Sequence, residues 1–393
     1  MSLSASVRVV NRENRDDPAT VPVLIVTACD HISRETATAG LAVDLPHAVW
    51  VDYAPSGDGC VRRRVGGWRE SAYDAVYDDL IALDHDCVSC TVREDLVATV
   101  DQLSRAGRWT GVIVLPPVAA AAAPLAHQLH HGLRDGRLTG VRIAGVIGVV
   151  DRGRVAEDLL GDDLLAERGL ALGRLDRRAV GEALSAQLEF ADVVVGIGDP
   201  DPIGESLLRR VLPPSTDLWL GWAERAGARL IARRHDHDLA CDRIDPLRLW
   251  PVHVDRPGEA GPAADGPGED RPARRPDVWT IELSSSRPLH PGRLRDRIDA
   301  LGSGRIRARG HFWLASRPDV ACAWDASGGQ LSIGTIGGWA GEQPGTRLVI
   351  TGIDPADRRR IVAAFEGVPI TRAEEIDVLG WTGGTDGFEP WLG

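Results

Sequence analysis

The sequence predicts an α/β protein with a mostly parallel sheet and helices on both faces, followed by a small α+β domain. Three observations predict this class. Before residue 255, short apolar runs alternate with segments of helical periodicity, as in βαβ units. A stretch rich in proline and glycine then occupies 255–276, a composition typical of linkers. Beyond it, apolar and polar residues alternate as in half-buried strands.

The first domain is predicted from its continuous apolar runs. We expect buried strands at 21–26, 48–53, 111–115, 141–150 and 191–197. Helical spacing of apolar residues predicts helices at 33–41, 91–105 and 176–190, and another at about 119–133. Residues 57–69 are rich in glycine and arginine and are predicted to form a solvated loop.

The second domain is predicted to mix strands with two helices. Strands are expected at 278–283, 305–314, 320–325, 330–335 and 346–351, with helices at 291–301 and 354–365. The chain therefore divides into a flexible arm (1–20), a first domain (21–254), a linker (255–276), a second domain (277–370) and an acidic tail containing tryptophan (371–393).

Composition narrows the range of functions. The 393-residue chain has a formal net charge of −12 at pH 7, which argues against DNA binding or general nucleic-acid binding. All 45 basic residues are arginine, so any mechanism that needs a lysine ammonium is excluded. The six cysteines are scattered and do not suggest a disulfide framework. No signal peptide or membrane-spanning run is visible, so we expect a cytoplasmic protein.

A short segment before the second predicted helix contains metal-ligating side chains. Cys87 and Cys90 are spaced C-x-x-C, and His85 precedes them by two residues. Thr91 is predicted to cap the helix, with Glu94 bonding back to it. That places Cys90 just before a helix N-terminus, where the dipole favours a thiolate. These cysteines and His85 are a candidate zinc site, and the alternative is a pair of buried, inert cysteines.

A second group of metal-ligating residues lies in the predicted helix near 119–133. His127, His130 and His131 are spaced i, i+3 and i+4, so two imidazoles can share one helical face. The alternative is a set of exposed histidines with no ligand.

Several motifs resemble the CobW family of P-loop GTPases, which are associated with metal homeostasis and include zinc chaperones. The sequence at 87–96 is similar to the family's C-x-C-C-T-x-R-x-D-L, with Ser89 in place of the middle cysteine. Residues 145–154 and 163–169 resemble its central segment, and 187–192 its Q-x-E-F-A-D motif. Residues 287–291 and 309–315 resemble its C-terminal domain. The resemblance implies a P-loop-NTPase-like first domain and a CobW C-terminal-type second domain.

The nucleotide motifs that the resemblance implies are not matched. A phosphate-binding loop needs glycines, a lysine for the β- and γ-phosphates and a Ser or Thr for Mg²⁺, but 27–33 has no glycine and no lysine. Residues 115–118 have no carboxylate where the family has an acidic segment. The guanine-reading motif becomes Gly-Ile-Gly-Asp at 196–199, leaving Asp199 as a remnant acceptor. We therefore predict a pseudo-GTPase for which GTP is not a ligand.

Three functions remain open on the sequence. The first is a nucleotide-independent protein of zinc homeostasis that serves a client metalloprotein. The second, implied by some members of the family, is a zinc-starvation adaptor that recruits a hibernation factor to the ribosome. The third is an active GTPase metallochaperone with atypical motifs. For the adaptor, Arg305, Arg307 and Arg309 alternate along one strand and would offer a basic face to RNA, or else form a solvated strand face.

Overall fold

The computed structural model describes residues 20–56, 59–69, 72–83, 87–250, 278–339, 341–375 and 385–393. The predicted linker at 255–276 and nearly all of the predicted arm lie outside the described residues. His85 also lies outside them, so its place in the candidate zinc site stays a prediction.

A mostly parallel sheet forms the centre of the first domain. Among the described residues it contains eight strands: β1 (Val21–Ala28), β2 (Ala48–Ser56), β3 (Cys60–Arg69), β4 (Ala72–Ala82), β5 (Gly111–Leu115), β6 (Val141–Asp151), β7 (Val193–Ile197) and β8 (Asp217–Leu220). Their order is β4-β3-β2-β5-β1-β6-β7-β8. The β2–β3 and β3–β4 pairs are antiparallel, and the other neighbouring pairs are parallel. The predicted sheet is confirmed.

Helices cover both faces of this sheet. They are α1 (His31–Asp44), α2 (Val88–Arg105), α3 (Ala123–Arg134), α4 (Val155–Leu160), α5 (Val180–Phe190), α6 (Pro202–Val211), α7 (Ala226–Ile231) and α8 (His237–Ile244). Side chains alternate across β1, so Val23 and Ile25 join the core under α2 and α3. Leu24 and Val26 join the opposite core under α1. Burial on both faces explains why this strand is a continuous apolar run.

The arginine-rich segment is a hairpin, and the prediction of a solvated loop there is wrong. Strands β3 and β4 are antiparallel neighbours, with Arg63 opposite Asp79. Arg63 contacts Asp79 at 2.8 Å and Asp95 of α2 at 2.7 Å. Its neighbours Arg62 and Arg64 pair with Asp78 and Asp52. Carboxylates from other strands therefore balance the arginines, and cross-strand pairs of opposite charge stabilise such a ribbon.

The second domain is an antiparallel sheet with helices against it, as predicted. In the described part of this region the elements are β9 (Trp279–Ser285), α9 (Pro291–Gly302), β10 (Ile306–Trp313), β11 (Ala321–Ser327), β12 (Gln330–Gly337), β13 (Thr346–Gly352), α10 (Pro355–Glu366), α11 (Arg372–Glu375) and α12 (Glu389–Leu392). The strand order is β12-β11-β10-β13-β9. Phe388 and Leu392, from the predicted tail, are buried in the core of this domain.

Candidate functional site

The connection between β1 and α1 lies where a nucleotide-binding protein of this fold holds phosphate. Here it consists of only Cys29 and Asp30. Asp30 is the N-cap of α1, and its Oδ1 accepts a hydrogen bond of 2.7 Å from the backbone N–H of Ser33. Helix N-termini bind anions through backbone N–H groups that have no partner within the helix. At the N-terminus of α1, the Asp30 carboxylate already accepts from one of these groups, the N–H of Ser33.

Beneath the connection, Cys29 is 5% exposed and its thiol donates to Gln187 Oε1 at 3.4 Å. The Gln187 amide in turn donates to the carbonyl oxygens of Ala28 (3.3 Å) and Ala120 (2.8 Å). Burial, with smaller contributions from Asp158 and Asp30, raises the pKa of the Cys29 thiol well above its usual range. The floor of the connection is therefore packed and hydrogen-bonded, with a neutral thiol inside it.

The segment after β5 provides no carboxylate for a metal-nucleotide complex. Arg34 of α1 donates to the carbonyl oxygens of Leu115 (3.1 Å) and Pro116 (3.2 Å) in this segment. The same guanidinium pairs with Asp52 of β2, which lies opposite Leu115, and Asp52 also pairs with Arg64. The nearby carboxylate is thus held by two arginines.

Asp199 lies in the exposed loop after β7, at the edge where the guanine-reading motif of the family is expected. Next to it, Gly198 has a φ of 73°, and its carbonyl accepts a hydrogen bond from the Arg152 guanidinium. Asp151, at the end of β6, accepts from the N–H of Gly153 at 2.9 Å. The structure places Asp199 where the motif predicts it, and its role as a guanine acceptor stays a prediction.

The two cysteines of the candidate zinc site lie at the start of α2. Cys87 is the N-cap, and its Sγ accepts from the backbone N–H of Cys90 at 3.3 Å. The prediction that Thr91 caps this helix is wrong, because the helix begins earlier and Thr91 lies inside its first turns. The Cys90 thiol hydrogen-bonds to Cys87, and this bond lowers the pKa of Cys87 and raises that of Cys90. Cys87 is therefore the first of the pair to form a thiolate.

The histidines of α3 divide between two environments. His127 and His130 face α8 and contact His237, whereas His131 is exposed. Burial is the largest cause that lowers the pKa of His127 and His130, and it lowers that of His237 to about 4. These imidazoles are neutral at pH 7.

Sequence reasoning missed His235, His237 and Cys241. The signal was present in the stretch His-Asp-His-Asp-Leu-Ala-Cys at 235–241, where a histidine and a cysteine are spaced i, i+4. That spacing places both on one face of a helix.

The predicted basic face for RNA is not formed. Arg307 and Arg309 do share one face of β10, but first-domain residues cover it, and they are 4% and 7% exposed. Both pair with Glu189 of α5. Arg305 is exposed and pairs with Glu157 at 2.9 Å. The alternation of arginines along the strand correctly predicted that Arg307 and Arg309 share a face. Alternation does not show whether solvent or another domain covers that face.

Among the described residues, no helix is long and apolar enough to cross a bilayer. The sheet order defines a P-loop-NTPase-like α/β domain in which a two-residue connection joins β1 to α1.

Comparison with known proteins identifies the family. Residues 69–197 match the family described as CobW/HypB/UreG, nucleotide-binding domain, and residues 278–368 match the cobalamin synthesis protein cobW C-terminal domain. The zinc chaperone Rv0106 of Mycobacterium tuberculosis is 30% identical over 326 residues, which are 81% of this chain and 74% of that protein. This chain belongs to the CobW family.

One further sequence relative and one solved structure are less similar to this chain. The zinc-regulated GTPase metalloprotein activator 1 of Dictyostelium discoideum is 22% identical over 69% of this chain and 57% of its own length. The Zn(II)-bound YjiA GTPase from E. coli aligns with 89% of this chain and 99% of its own, at 13% identity and a TM-score of 0.30.

Proposed function

We propose that this chain is a CobW-like protein of zinc homeostasis that works without binding or hydrolysing GTP. The observation that carries the proposal is the Asp30 carboxylate at the N-terminus of α1, where its 2.7 Å hydrogen bond takes up the N–H of Ser33. Two of the relatives are named zinc chaperones, which supports the proposed role in zinc homeostasis.

Three physical arguments support the loss of nucleotide binding. A connection of two residues is too short to wrap its backbone N–H groups around a triphosphate. A carboxylate at the same position repels the phosphate charge rather than neutralising it. The chain has no lysine to contact the β- and γ-phosphates or to stabilise charge in the transition state.

Cys87 and Cys90 are the proposed zinc ligands at the start of α2. Zinc binds thiolates, and the helix N-terminus and the hydrogen bonds to Cys87 both favour the thiolate there. His85 is proposed as a third ligand. A site with fewer than four protein ligands keeps a position open, which suits transfer of the ion to a client metalloprotein.

The proposal places the protein in the cytoplasm, where the thiols of Cys87 and Cys90 stay reduced. For the ribosome adaptor, the candidate RNA-binding face was Arg305, Arg307 and Arg309. Two of these arginines are buried, so this face does not support the adaptor.

The test measures zinc affinity by competition with a chromogenic chelator, with and without GTP and Mg²⁺. We expect the affinity to be the same in both conditions, and the Cys87→Ser/Cys90→Ser variant to lose this site. A zinc affinity that changes tenfold or more on addition of GTP would show that the protein is a nucleotide-regulated metallochaperone and contradict the proposal.

A further inference from the structure

A cluster of histidines lies away from both the β1–α1 connection and the cysteine pair. His235 donates its backbone N–H to Ile143 near the start of β6, and Asp192 lies directly before β7. The cluster is therefore at the amino edge of the parallel sheet, whereas Asp30 and Asp199 lie at the carboxyl edge. It brings together side chains from α3 and from the segment that begins α8.

Three side chains in this cluster present ligand atoms to one point. His127, His237 and Cys241 each offer one atom, and these atoms lie within 4.8 Å of one another. His127 Nδ1 is 2.8 Å from His237 Nε2. Ligand atoms around a tetrahedral zinc ion are separated by about 3.3 to 3.6 Å, given the usual Zn–N and Zn–S distances. The separations in this group, 2.8 Å between the two nitrogens and at most 4.8 Å overall, lie on either side of these values.

The lone pair of His237 is directed toward that point by a chain of hydrogen bonds. Asp192 accepts from the N–H of Val146 (2.9 Å) and from Arg243 (2.9 Å), so its carboxylate is charged and accepts from His235 Nδ1 at 2.7 Å. When His235 donates its Nδ1 proton to Asp192, its Nε2 atom faces His237 Nδ1 at 3.3 Å and accepts from it. With its proton on Nδ1, His237 uses its Nε2 to accept a hydrogen bond from His127 Nδ1 at 2.8 Å. A cation between them replaces this hydrogen bond, and His127 then carries its proton on Nε2, so that both facing nitrogens offer lone pairs.

The surroundings of His237 resemble the supporting shell of metal sites. Metal-binding histidines usually donate their second N–H to a hydrogen-bond partner that fixes the tautomer and the ring orientation. The His235 side chain that accepts this proton is only 1% exposed. On the other side, the His130 ring stacks on His237 with centroids 4.1 Å apart and planes 12° apart. The ring of His237 is therefore held in place before any ion binds.

We propose that His127, His237 and Cys241 form a second metal site, which binds a divalent cation of the zinc class and leaves a fourth position open. Two imidazoles and one thiolate are ligands typical of Zn²⁺ or Co²⁺, and the thiol proton passes to solvent on binding. All three residues are half-buried, so an ion can enter from solvent. Metal binding by His127, His237 and Cys241 requires neither Cys87 and Cys90 nor the loss of GTP binding. A role of this second site in metal handling rests on the proposed function.

The test uses Co²⁺ alone as the probe, with the full-length, reduced and metal-free chain. In a Cys87→Ser/Cys90→Ser background we expect a thiolate-to-cobalt charge-transfer band and the visible bands of tetrahedral Co²⁺. Adding Cys241→Ser should abolish the charge-transfer band, while His131→Ala, on the same helix but exposed, should leave it unchanged. His235→Gln should weaken Co²⁺ binding by about ten- to a hundredfold, since it disturbs the support of His237.

Circular dichroism of each variant establishes that it is folded, and His127→Gln is a second ligand variant if Cys241→Ser is unstable. If the background variant shows no charge-transfer band, or keeps it after Cys241→Ser, the second site is wrong. If Co²⁺ binds the wild type only through Cys87 and Cys90, the proposed function stands without this inference. If the second site alone binds, the inference stands and the assignment of the cysteine pair fails.

Discussion

Glu189 accepts two hydrogen bonds from Arg307, at 2.9 Å from Nε and 2.6 Å from Nη2, across the boundary between the two domains. The two side chains are 10% and 4% exposed. Arg309 adds a contact of 3.2 Å to the other Glu189 oxygen, and its guanidinium lies 3.9 Å over the Trp250 ring. The last turn of α5 is therefore an ionic docking point for β10.

Glu189 belongs to the Gln-Leu-Glu-Phe-Ala-Asp motif at 187–192. The three polar side chains of this motif contact three different parts of the molecule. Gln187 closes the β1–α1 connection, Glu189 holds the second domain, and Asp192 orients His235. All three polar side chains of the motif make structural contacts in this chain, and these contacts do not need a bound nucleotide.

Breaking the buried pair should destabilise the protein much more than breaking an exposed pair at the same boundary. Glu189→Gln leaves two buried arginines without their shared carboxylate, and we expect a loss of roughly 3 kcal/mol in the free energy of unfolding. Arg305→Gln, which removes the exposed pair with Glu157, is the matched control and should cost less than about 1 kcal/mol. Urea unfolding followed by tryptophan fluorescence measures both, and equal losses would contradict the docking role.

The six cysteines should react with iodoacetamide in a defined order. Cys87 should react before Cys90, because the hydrogen bond between them lowers the pKa of Cys87 and raises that of Cys90. Cys29 and Cys322 should be protected, because both are buried and burial raises the pKa of Cys322 to about 11. Mass spectrometry after short reaction times measures how much of each cysteine is alkylated. Unfolded protein is the control, because all six cysteines are accessible in it. If Cys29 in the folded protein reacts as fast as Cys87, the Cys29 side chain is not buried beneath the β1–α1 connection as described.

The buried Cys29 thiol predicts a loss of stability at alkaline pH. Burial raises its pKa in the folded state above its unfolded value of about 8.5. The thiol's contribution is therefore fully present below that unfolded value and is lost as the pH rises above it, at up to about 1.4 kcal/mol per pH unit for one proton. Cys29→Ala should show a shallower decline of unfolding free energy between pH 8 and pH 10, roughly the window set by these values. Cys60→Ala is the control, and identical slopes in wild type and Cys29→Ala would contradict the prediction.

Asp30 should act as a structural cap and not as a remnant of a nucleotide site. Asp30→Ala should lower the free energy of unfolding by about 1 kcal/mol, the usual value of an N-cap. Asp201→Ala removes the corresponding cap of α6 and should cost a similar amount. Thermal denaturation compares the two. A loss at Asp30 close to zero would mean that its contact with Ser33 does not stabilise α1.

Most elements were predictable because local patterns determine them. Continuous apolar runs predicted β1, β5, β6 and β7, and helical periodicity predicted α2 and α9. The β3–β4 hairpin escaped prediction because its arginines are balanced by Asp52, Asp78 and Asp79, which come from neighbouring strands. Such pairs become visible only when strand register is known.

The site was only partly predictable for the same reason. The absence of glycine and lysine from the β1–α1 connection is visible in the sequence alone. The C-x-x-C spacing singled out Cys87 and Cys90, whose role as zinc ligands stays a prediction. The contact of His127 with His237 joins residues 110 positions apart, so no local pattern contains it. The burial of Arg307 depends on how one domain packs on the other, which is a property of the assembled fold.

The most direct test of the central claim is equilibrium binding of a fluorescent GTP analogue with Mg²⁺, together with phosphate release from GTP. The zinc-regulated GTPase metalloprotein activator 1 of Dictyostelium discoideum provides the positive control under the same conditions. For this chain we predict no saturable binding below millimolar nucleotide and no phosphate release above the rate without protein. Saturable binding at micromolar nucleotide with turnover would contradict the account.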